Sequence, residues 1–261
     1  MALFEFELAK VEDIEPWQTG KGPDLSWFAL TDGRFWMPVG DRVLFEYTDE
    51  ISAHWGAGVH VAEYQVAAFV REMLGCVAAA SARLPPRLEK LASTWGGLSE
   101  LVNGKAAEEA DDDRNGDSYT AWRWLGERSP WASYLVDAPR VHFVRIGEEV
   151  RIHWDNRDRL VDGHQVWTAQ LGVHTMPVEA FVSECRSFAN RLLDPMEARI
   201  AAIDVGTVSA RVALDTASLR QQHETWRTEF GSYFGEYQPD ISWPEAECAI
   251  ERIARQRGAS F

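Results

Sequence analysis

The sequence lacks the features that mark membrane-spanning, secreted and zinc-binding proteins. Its 261 residues contain no apolar run near the length of about 18 residues that marks a transmembrane helix. The N-terminus alternates apolar and acidic residues and has no basic start, unlike a signal peptide. The cysteines are few, odd in number and far apart, which indicates neither a disulfide framework nor a zinc site. We therefore expect a cytoplasmic protein without a cofactor, in which all three thiols are reduced and buried: Cys76, Cys185 and Cys248.

Recognisable catalytic signatures are missing as well. The chain has no P-loop, no G-x-G-x-x-G, no G-x-S-x-G and no cysteine within a known nucleophile motif. Each of these motifs places a phosphate cradle or an activated nucleophile at a fixed spacing, so their absence removes the common enzyme classes that carry them. Binding without catalysis is then the simplest activity for a chain of this composition.

Basic residues are in deficit, which bears on the kind of partner. The chain has 41 acidic and 26 basic side chains, for a net charge of −15. A field of this sign repels nucleic-acid backbones and anionic membranes, so neither is expected as a partner. It attracts basic proteins and speeds their encounter, which favours a protein partner such as a basic toxin. Solubility alone accounts for the same charge, and both interpretations stay open.

The chain does contain one pattern that occurs twice. Short aromatic strands with tight glycine turns are followed by a long amphipathic helix. The first copy comprises Leu25–Tyr47 and Val61–Ala82, and the second comprises Val141–Trp154, Val166–Gln170 and Val178–Leu193. The pattern predicts an α+β fold of antiparallel β-meanders, each followed by a long amphipathic helix, with the helices covering one sheet face.

The composition changes between the two copies. Residues 102–118 are rich in Asp, Glu, Asn and Gly, which is typical of a surface loop. This stretch divides the chain into an N-terminal half, residues 1–101, and a C-terminal half, residues 119–261. We expect the halves to pack as one body, and either duplication or convergence accounts for their common plan.

Four local signals add detail to this plan. Asp32-Gly33, between two apolar runs, predicts a two-residue hairpin. Gly147-Glu148 predicts the turn of a second hairpin. Asp194-Pro195 predicts a break or sharp kink in the long helix that follows. Ser242 and Glu245 form the pattern of a capping box at the start of the last helix.

The acidic loop is the first candidate site. Its residues Asp111, Asp112 and Asp113, with Asn115 and Gly116, resemble the start of a calcium loop. The match fails at the twelfth position, where Trp122 replaces the bidentate glutamate. A solvated acidic loop explains the same residues, and we keep the three aspartates as candidate contacts to a partner.

The second candidate site is the stretch from His153 to His164, which holds two histidines and three aspartates. Arg, His and Trp together suit protein recognition, which indicates a partner-binding face. The candidate contacts are Arg151, His153, Asp155, Arg157 and Asp158. A metal-dependent hydrolase using this region is an alternative, because such ligands can converge on a metal ion. A solvated turn laced with Arg–Asp pairs is a third interpretation.

Two further groups leave alternatives open. His54, His60 and Glu63 precede the first long helix. His60 and Glu63 would share a helix face there, either as a catalytic base with its carboxylate or as an ion pair. The chain has 12 tryptophans. Most fall inside predicted strands or helices, but Trp17, Trp55 and Trp131 lie near loops. Exposed rings of this kind would also suit a small-ligand module with an aromatic pocket.

Several of these segments resemble an uncharacterised bacterial family that is defined only as a domain of unknown function. The resemblance is carried by Phe4–Phe6, Trp27–Gly33, Tyr64-Gln65, Val150–Arg157 and Val166–Thr168, and it spans nearly the whole chain. It implies a common fold and no assigned catalytic residue. The layout of the second half is similar, more loosely, to immunity proteins of bacterial toxin systems, which implies an inhibitor of a basic toxin.

Overall fold

A computed structural model describes residues 2–20, 22–56, 58–93, 116–208 and 210–256. Antiparallel sheets and packed helices make up this part of the chain, which confirms the predicted α+β class. The strands are β1 Glu5–Leu8, β2 Trp17–Thr19, β3 Gly22–Asp24, β4 Asp32–Val39, β5 Arg42–Leu44, β6 Ala62–Gln65, β7 Val141–Ile146, β8 Glu149–Asp155, β9 Leu160–Val161, β10 His164–Gln165 and β11 Leu171–Pro177. The helices are α1 Asp49–Trp55, α2 Val66–Gly75, α3 Val77–Ser81, α4 Pro86–Ser93, α5 Asp117–Gly126, α6 Val178–Asp204, α7 Thr216–Ser232 and α8 Trp243–Gln256.

The first sheet is built around β4, which pairs with β1, β5 and β6. The strand runs straight through Asp32-Gly33, so the predicted hairpin at this dipeptide is wrong. The preceding predicted strand, Leu25–Thr31, is instead irregular and ends in a 3₁₀ turn at Ala29–Thr31. Gly33 is needed for close approach, since a Cβ added there would overlap the backbone oxygen of Glu7 on β1.

The second sheet has the order β11-β8-β7. Its β7–β8 hairpin turns at Gly147-Glu148, which confirms that prediction, and Gly147 has the positive φ of 60° that a tight turn uses. The third strand, β11, pairs with β8 along all seven of its residues. The sequence predicted a short strand at Val166–Gln170 and missed β11, which begins one residue later.

One hydrophobic core draws on both predicted halves. Phe35 of the first sheet stacks on Phe69 of α2 with ring centroids 4.1 Å apart, and Phe4 stacks on Phe188 of α6 at 4.8 Å. The same cluster includes Phe143 of the second sheet. Most of the predicted boundary at 102–118 lies outside the described residues, so the division into halves stays a prediction.

A smaller cluster joins α4, α5 and α8 to the second sheet through Val144 of β7. Strand β7 therefore has helices on both faces, with α6 on the other side of the sheet. Arg128, directly after α5, is fully buried beside this cluster. Its Nη1 donates to the Trp124 carbonyl at 2.7 Å, its guanidinium lies 4.2 Å from the Trp124 ring, and Glu127 Oε2 at 3.5 Å partly balances the buried charge.

Helix α6 runs unbroken through Asp194-Pro195, so a break there is wrong, and the alternative of a kink stays a prediction. Proline removes one backbone donor, but the buried neighbours Leu192, Leu193 and Met196 hold the helix against the core. The last helix begins at Trp243, and Glu245 Oε2 accepts from the Ser242 N–H at 3.1 Å, as the capping pattern predicts.

The cysteines differ in exposure. Cys76 and Cys185 are buried, and burial raises the pKa of both thiols, whereas Cys248 on α8 is exposed. The expectation of three buried thiols is thus wrong for Cys248. Among the helices of the described ranges, none combines the length and apolar character needed to cross a bilayer.

Candidate binding sites

The first candidate site lies outside the described residues. Asp111, Asp112 and Asp113 all fall in the stretch 94–115, so their role in binding a partner stays a prediction.

Arg151 of the second candidate site serves the fold. Its Nη1 donates to the carbonyl oxygens of Ala92 and Ser93, at 3.3 and 3.0 Å. These carbonyls belong to the last described residues of α4, where a cation is favourable for the helix dipole. Arg151 thereby ties α4 to β8.

His153 is buried on β8, directly opposite His142 of β7. Burial lowers the pKa of His153 to about 4 and that of His142 to about 3. Both imidazoles are therefore neutral at pH 7. A buried, neutral pair of this kind belongs to the packing of the sheet as much as to any site.

The remaining charged candidates pair with one another or with near neighbours. Arg157 holds Asp155 in a two-point contact, Nε to Oδ1 at 2.9 Å and Nη2 to Oδ2 at 2.7 Å, and these hydrogen bonds keep the Asp155 pKa below its usual range. Asp158 accepts from Arg140 Nη1 at 2.8 Å. The Arg–Asp pairs expected of a solvated turn are therefore present.

His164 lies in different surroundings from His153. The β9–β10 hairpin packs against α1, where His164 Nδ1 is 2.7 Å from Glu50 Oε1 and His54 Nε2 is 3.1 Å from Asp162 Oδ2. The two rings are 4.6 Å apart. The structure thus joins histidines that the sequence hypotheses put in separate sites. Within the described ranges, no three His, Cys, Asp or Glu side chains form a group that could hold a metal ion.

The proposed pairing of His60 with Glu63 on a helix is wrong. Glu63 lies in β6, opposite Arg34 of β4, and His60 precedes that strand. The helix begins only at Val66, because the segment before it completes the first sheet.

The most open part of the second sheet is β11. In the described part of the chain only β8 pairs with it, so its other edge carries free backbone groups. Leu171 and Val173 are 52% and 56% exposed. The strand contains no Asp, Glu, Lys or Arg, although a charged side chain often prevents an edge strand from pairing with another chain.

Side chains of β11 and of the second candidate site share one face of the sheet. In the antiparallel register Leu171 is opposite Asp155, Val173 opposite His153 and Thr175 opposite Arg151. We call five of these residues, all except the buried His153, the β11 surface. Three of the predicted partner contacts thus lie beside exposed apolar side chains that the sequence analysis did not single out.

Sequence reasoning missed β11 for an identifiable reason. Its inward positions are Gly172, His174 and Met176, and its outward positions include Leu171 and Val173, so the usual inside-outside alternation is reversed in polarity. The strand also runs directly into α6 without a turn residue. The β-branched residues Val173 and Thr175 were the only signal of a strand within Leu171–Pro177.

The three tryptophans near loops differ in their exposure to solvent. Trp131 and Trp17 are 51% and 44% exposed, as expected, whereas Trp55 is half-buried and packs edge-on against Tyr47 at 5.1 Å.

A Ser–His pair joins β7 to the connection from α5, to which Trp131 also belongs. Ser129 Oγ contacts His142 Nδ1 and lies 2.9 Å from the Leu125 carbonyl. A Ser–His pair can act as nucleophile and base, but the low pKa of His142 makes it a weak base at pH 7.

The fold and these surfaces define an α+β protein in which the edge strand β11 exposes apolar side chains. Residues 3–249 match the model of a family described as "Family of unknown function (DUF5984)". The chain belongs to this family, which confirms the resemblance seen in the sequence. No curated protein and no solved structure matches the chain.

Proposed function

We propose that this chain is a non-catalytic binding protein whose partner lays an extended segment along β11. The observation that carries the proposal is the open edge of β11 with Leu171 and Val173 more than half exposed. An added strand would satisfy the free backbone groups, and the alternate side chains of the β11 surface would supply specificity.

The charge of the chain favours one class of partner. At −15 it favours a basic protein, and the exposed carboxylates of Glu149 and Glu179 flank the Pro177 end of the strand. Lys or Arg residues beside the added segment would meet these groups and gain in association rate. The sharpest form of the proposal is a cytoplasmic immunity-type protein that inhibits a basic bacterial toxin.

The test replaces the apolar contacts with cations. The double variant Leu171→Lys, Val173→Lys removes the apolar surface and repels a basic partner. Val205→Lys makes one such change at a 72% exposed valine beyond the end of α6. Toxin candidates are the basic proteins encoded beside the gene. We expect wild type and Val205→Lys to bind one of them and to protect cells from it. The double variant should bind at least about tenfold more weakly.

Two outcomes oppose the proposal. If wild type neither binds nor protects against any neighbouring toxin, or if the double variant equals wild type, the assignment fails. Light scattering measures the oligomeric state. If wild type is a dimer and the double variant is a monomer, then a second copy of the chain occupies β11 and a toxin does not. Circular dichroism shows that the variants remain folded.

A further inference from the structure

A pocket lies between α5 and β7, away from the open edge of the second sheet. Its volume is about 130 Å³. The wall combines aromatic, cationic and small polar side chains: Trp122, Trp131, Ser129, Arg140, His142 and Arg159. An apolar cavity of about 150 Å³ accepts one benzene ring, so the space fits a single six-membered ring.

The aromatic wall is arranged for stacking. Trp122 and Trp131 meet edge to face with ring centroids 5.0 Å apart. Trp131 lines the pocket while half of its surface faces solvent, so its indole lies at the rim. Gly126 permits this position, since a Cβ added there would lie 3.1 Å from Trp131 Cζ2. A planar ring entering the pocket would cover the exposed part of the indole.

The charge of the wall is opposite to that of the protein. Among the described residues, Arg140 and Arg159 line the pocket and no Asp or Glu does, although the chain carries −15 overall. Each guanidinium gives one nitrogen to a carboxylate outside the wall, Arg140 to Asp158 and Arg159 to Asp137, both at 2.8 Å. A guanidinium has five N–H donors, so donors remain for an anion.

One of these donors has no acceptor. Arg159 Nε is buried and makes no hydrogen bond within the described part of the chain. A buried donor left unpaired is destabilising by about 1–3 kcal/mol. The Nε atoms of Arg128, Arg151 and Arg191 also lack a partner in the described residues, and Arg159 differs from them because it lines the pocket. A carboxylate in the pocket would give this donor an acceptor.

The connection that builds the wall is conformationally strained. Ala132 and Asp137 both have positive φ, at 39° and 48°, although neither is glycine. Such residues persist where the surroundings enforce them, and they cluster at ligand-binding sites. Here the first follows Trp131 directly, and the second presents its carboxylate to Arg159.

We propose that this pocket binds a single-ring aromatic carboxylate, with the ring on Trp131 and the carboxylate at Arg159 and Arg140. The site is independent of the β11 surface, so each can fail without the other.

Benzoate is the probe, and benzylamine, which has the same ring and a positive charge, is the matched control ligand. Calorimetric titration of the full chain should show saturable binding of benzoate and none of benzylamine. Trp131→Ala should weaken benzoate binding at least about tenfold. Trp17→Ala removes a comparably exposed indole elsewhere and should leave the affinity unchanged.

Two further variants separate binding from folding. Arg159→Met should abolish binding, and Gly126→Val, which fills the pocket without changing a charge, should do the same while thermal unfolding shows both proteins folded. The proposal is overturned if wild type does not bind benzoate, if benzylamine binds equally well, or if Trp17→Ala weakens binding as much as Trp131→Ala.

Discussion

The central strand β4 of the first sheet and the edge strand β11 of the second differ in how far their apolar side chains are buried. In the first sheet β4 has strands on both sides, and its Phe35 is fully buried in a stack of aromatic rings. In the second sheet the described residues place a neighbour on one side of β11 only, and its Val173 is 56% exposed. The comparison separates apolar side chains that build the core from apolar side chains that are available to a partner.

Two glycines, one in each sheet, lie where an added Cβ would overlap a neighbour. We expect Gly33→Ala to lower the free energy of unfolding by about 3 kcal/mol, because the new Cβ would overlap backbone of β1, which cannot move without breaking the sheet. Gly172→Ala on β11 would overlap the buried Trp154 indole of β8 and should be destabilising by about 1–2 kcal/mol. The loss is smaller than at Gly33 because β11 pairs only with β8 in the described residues and can move away from the ring.

Urea denaturation of both variants checks this order. Gly75→Ala is the control, because a Cβ at that helix position meets nothing within 4 Å, and it should stabilise by about 0.5 kcal/mol. Equal losses at Gly33 and Gly172 would show that the two sheets are equally rigid, contrary to the comparison.

Acid should weaken the second sheet first. The pKa of His142 is about 3 in the folded protein and about 6.5 when unfolded, so the unfolded state binds the extra proton between these values. Its contribution is fully present above pH 6.5 and is lost as the pH falls. The free energy of unfolding should drop by about 2 kcal/mol between pH 6.5 and 5 on account of this group alone.

His142→Gln removes the titrating group and should flatten the pH dependence over that interval by the same amount. Urea denaturation at several pH values measures it. An unchanged slope would mean that His142 is solvated, and the buried His142–His153 pair would then not distinguish the second sheet from the first.

The smallest effect is expected at the open edge. Val173→Lys should change the free energy of unfolding by less than about 0.5 kcal/mol, because the side chain is exposed and lysine is a usual residue of edge strands. Thermal unfolding against wild type is the measurement. A clear loss of stability would show that Val173 packs against the protein and is not available to a partner.

The sequence predicted the elements whose signals are local. Gly147 at a turn gave the β7–β8 hairpin, and Ser242 with Glu245 gave the start of the last helix. It failed where distant contacts override a local signal. Asp32-Gly33 has the chemistry of a turn, but strands on both sides keep it extended. Pro195 has the chemistry of a helix break, but burial of its neighbours maintains the helix.

The candidate-site residues also divide into those with a local signal in the sequence and those that only distant contacts bring together. Arg151, His153 and Asp155 were found from composition, and the structure places them on one face of β8. Their apolar neighbours on β11 were missed because that strand reverses the usual polarity. Ser129, Arg140, His142 and Arg159 were missed as a group because no spacing connects them, and only the return of β7 beside the end of α5 brings them together.

The sequence by itself determined the charge of −15, the α+β class, the family and the helix and strand periods, since these depend on composition or on residues a few positions apart. Only the tertiary structure decided which sheet edge stays open, which histidines meet and where a pocket with two arginines forms. Those features depend on contacts between residues far apart in the chain, such as His54 with Asp162, and packing of the whole core selects them.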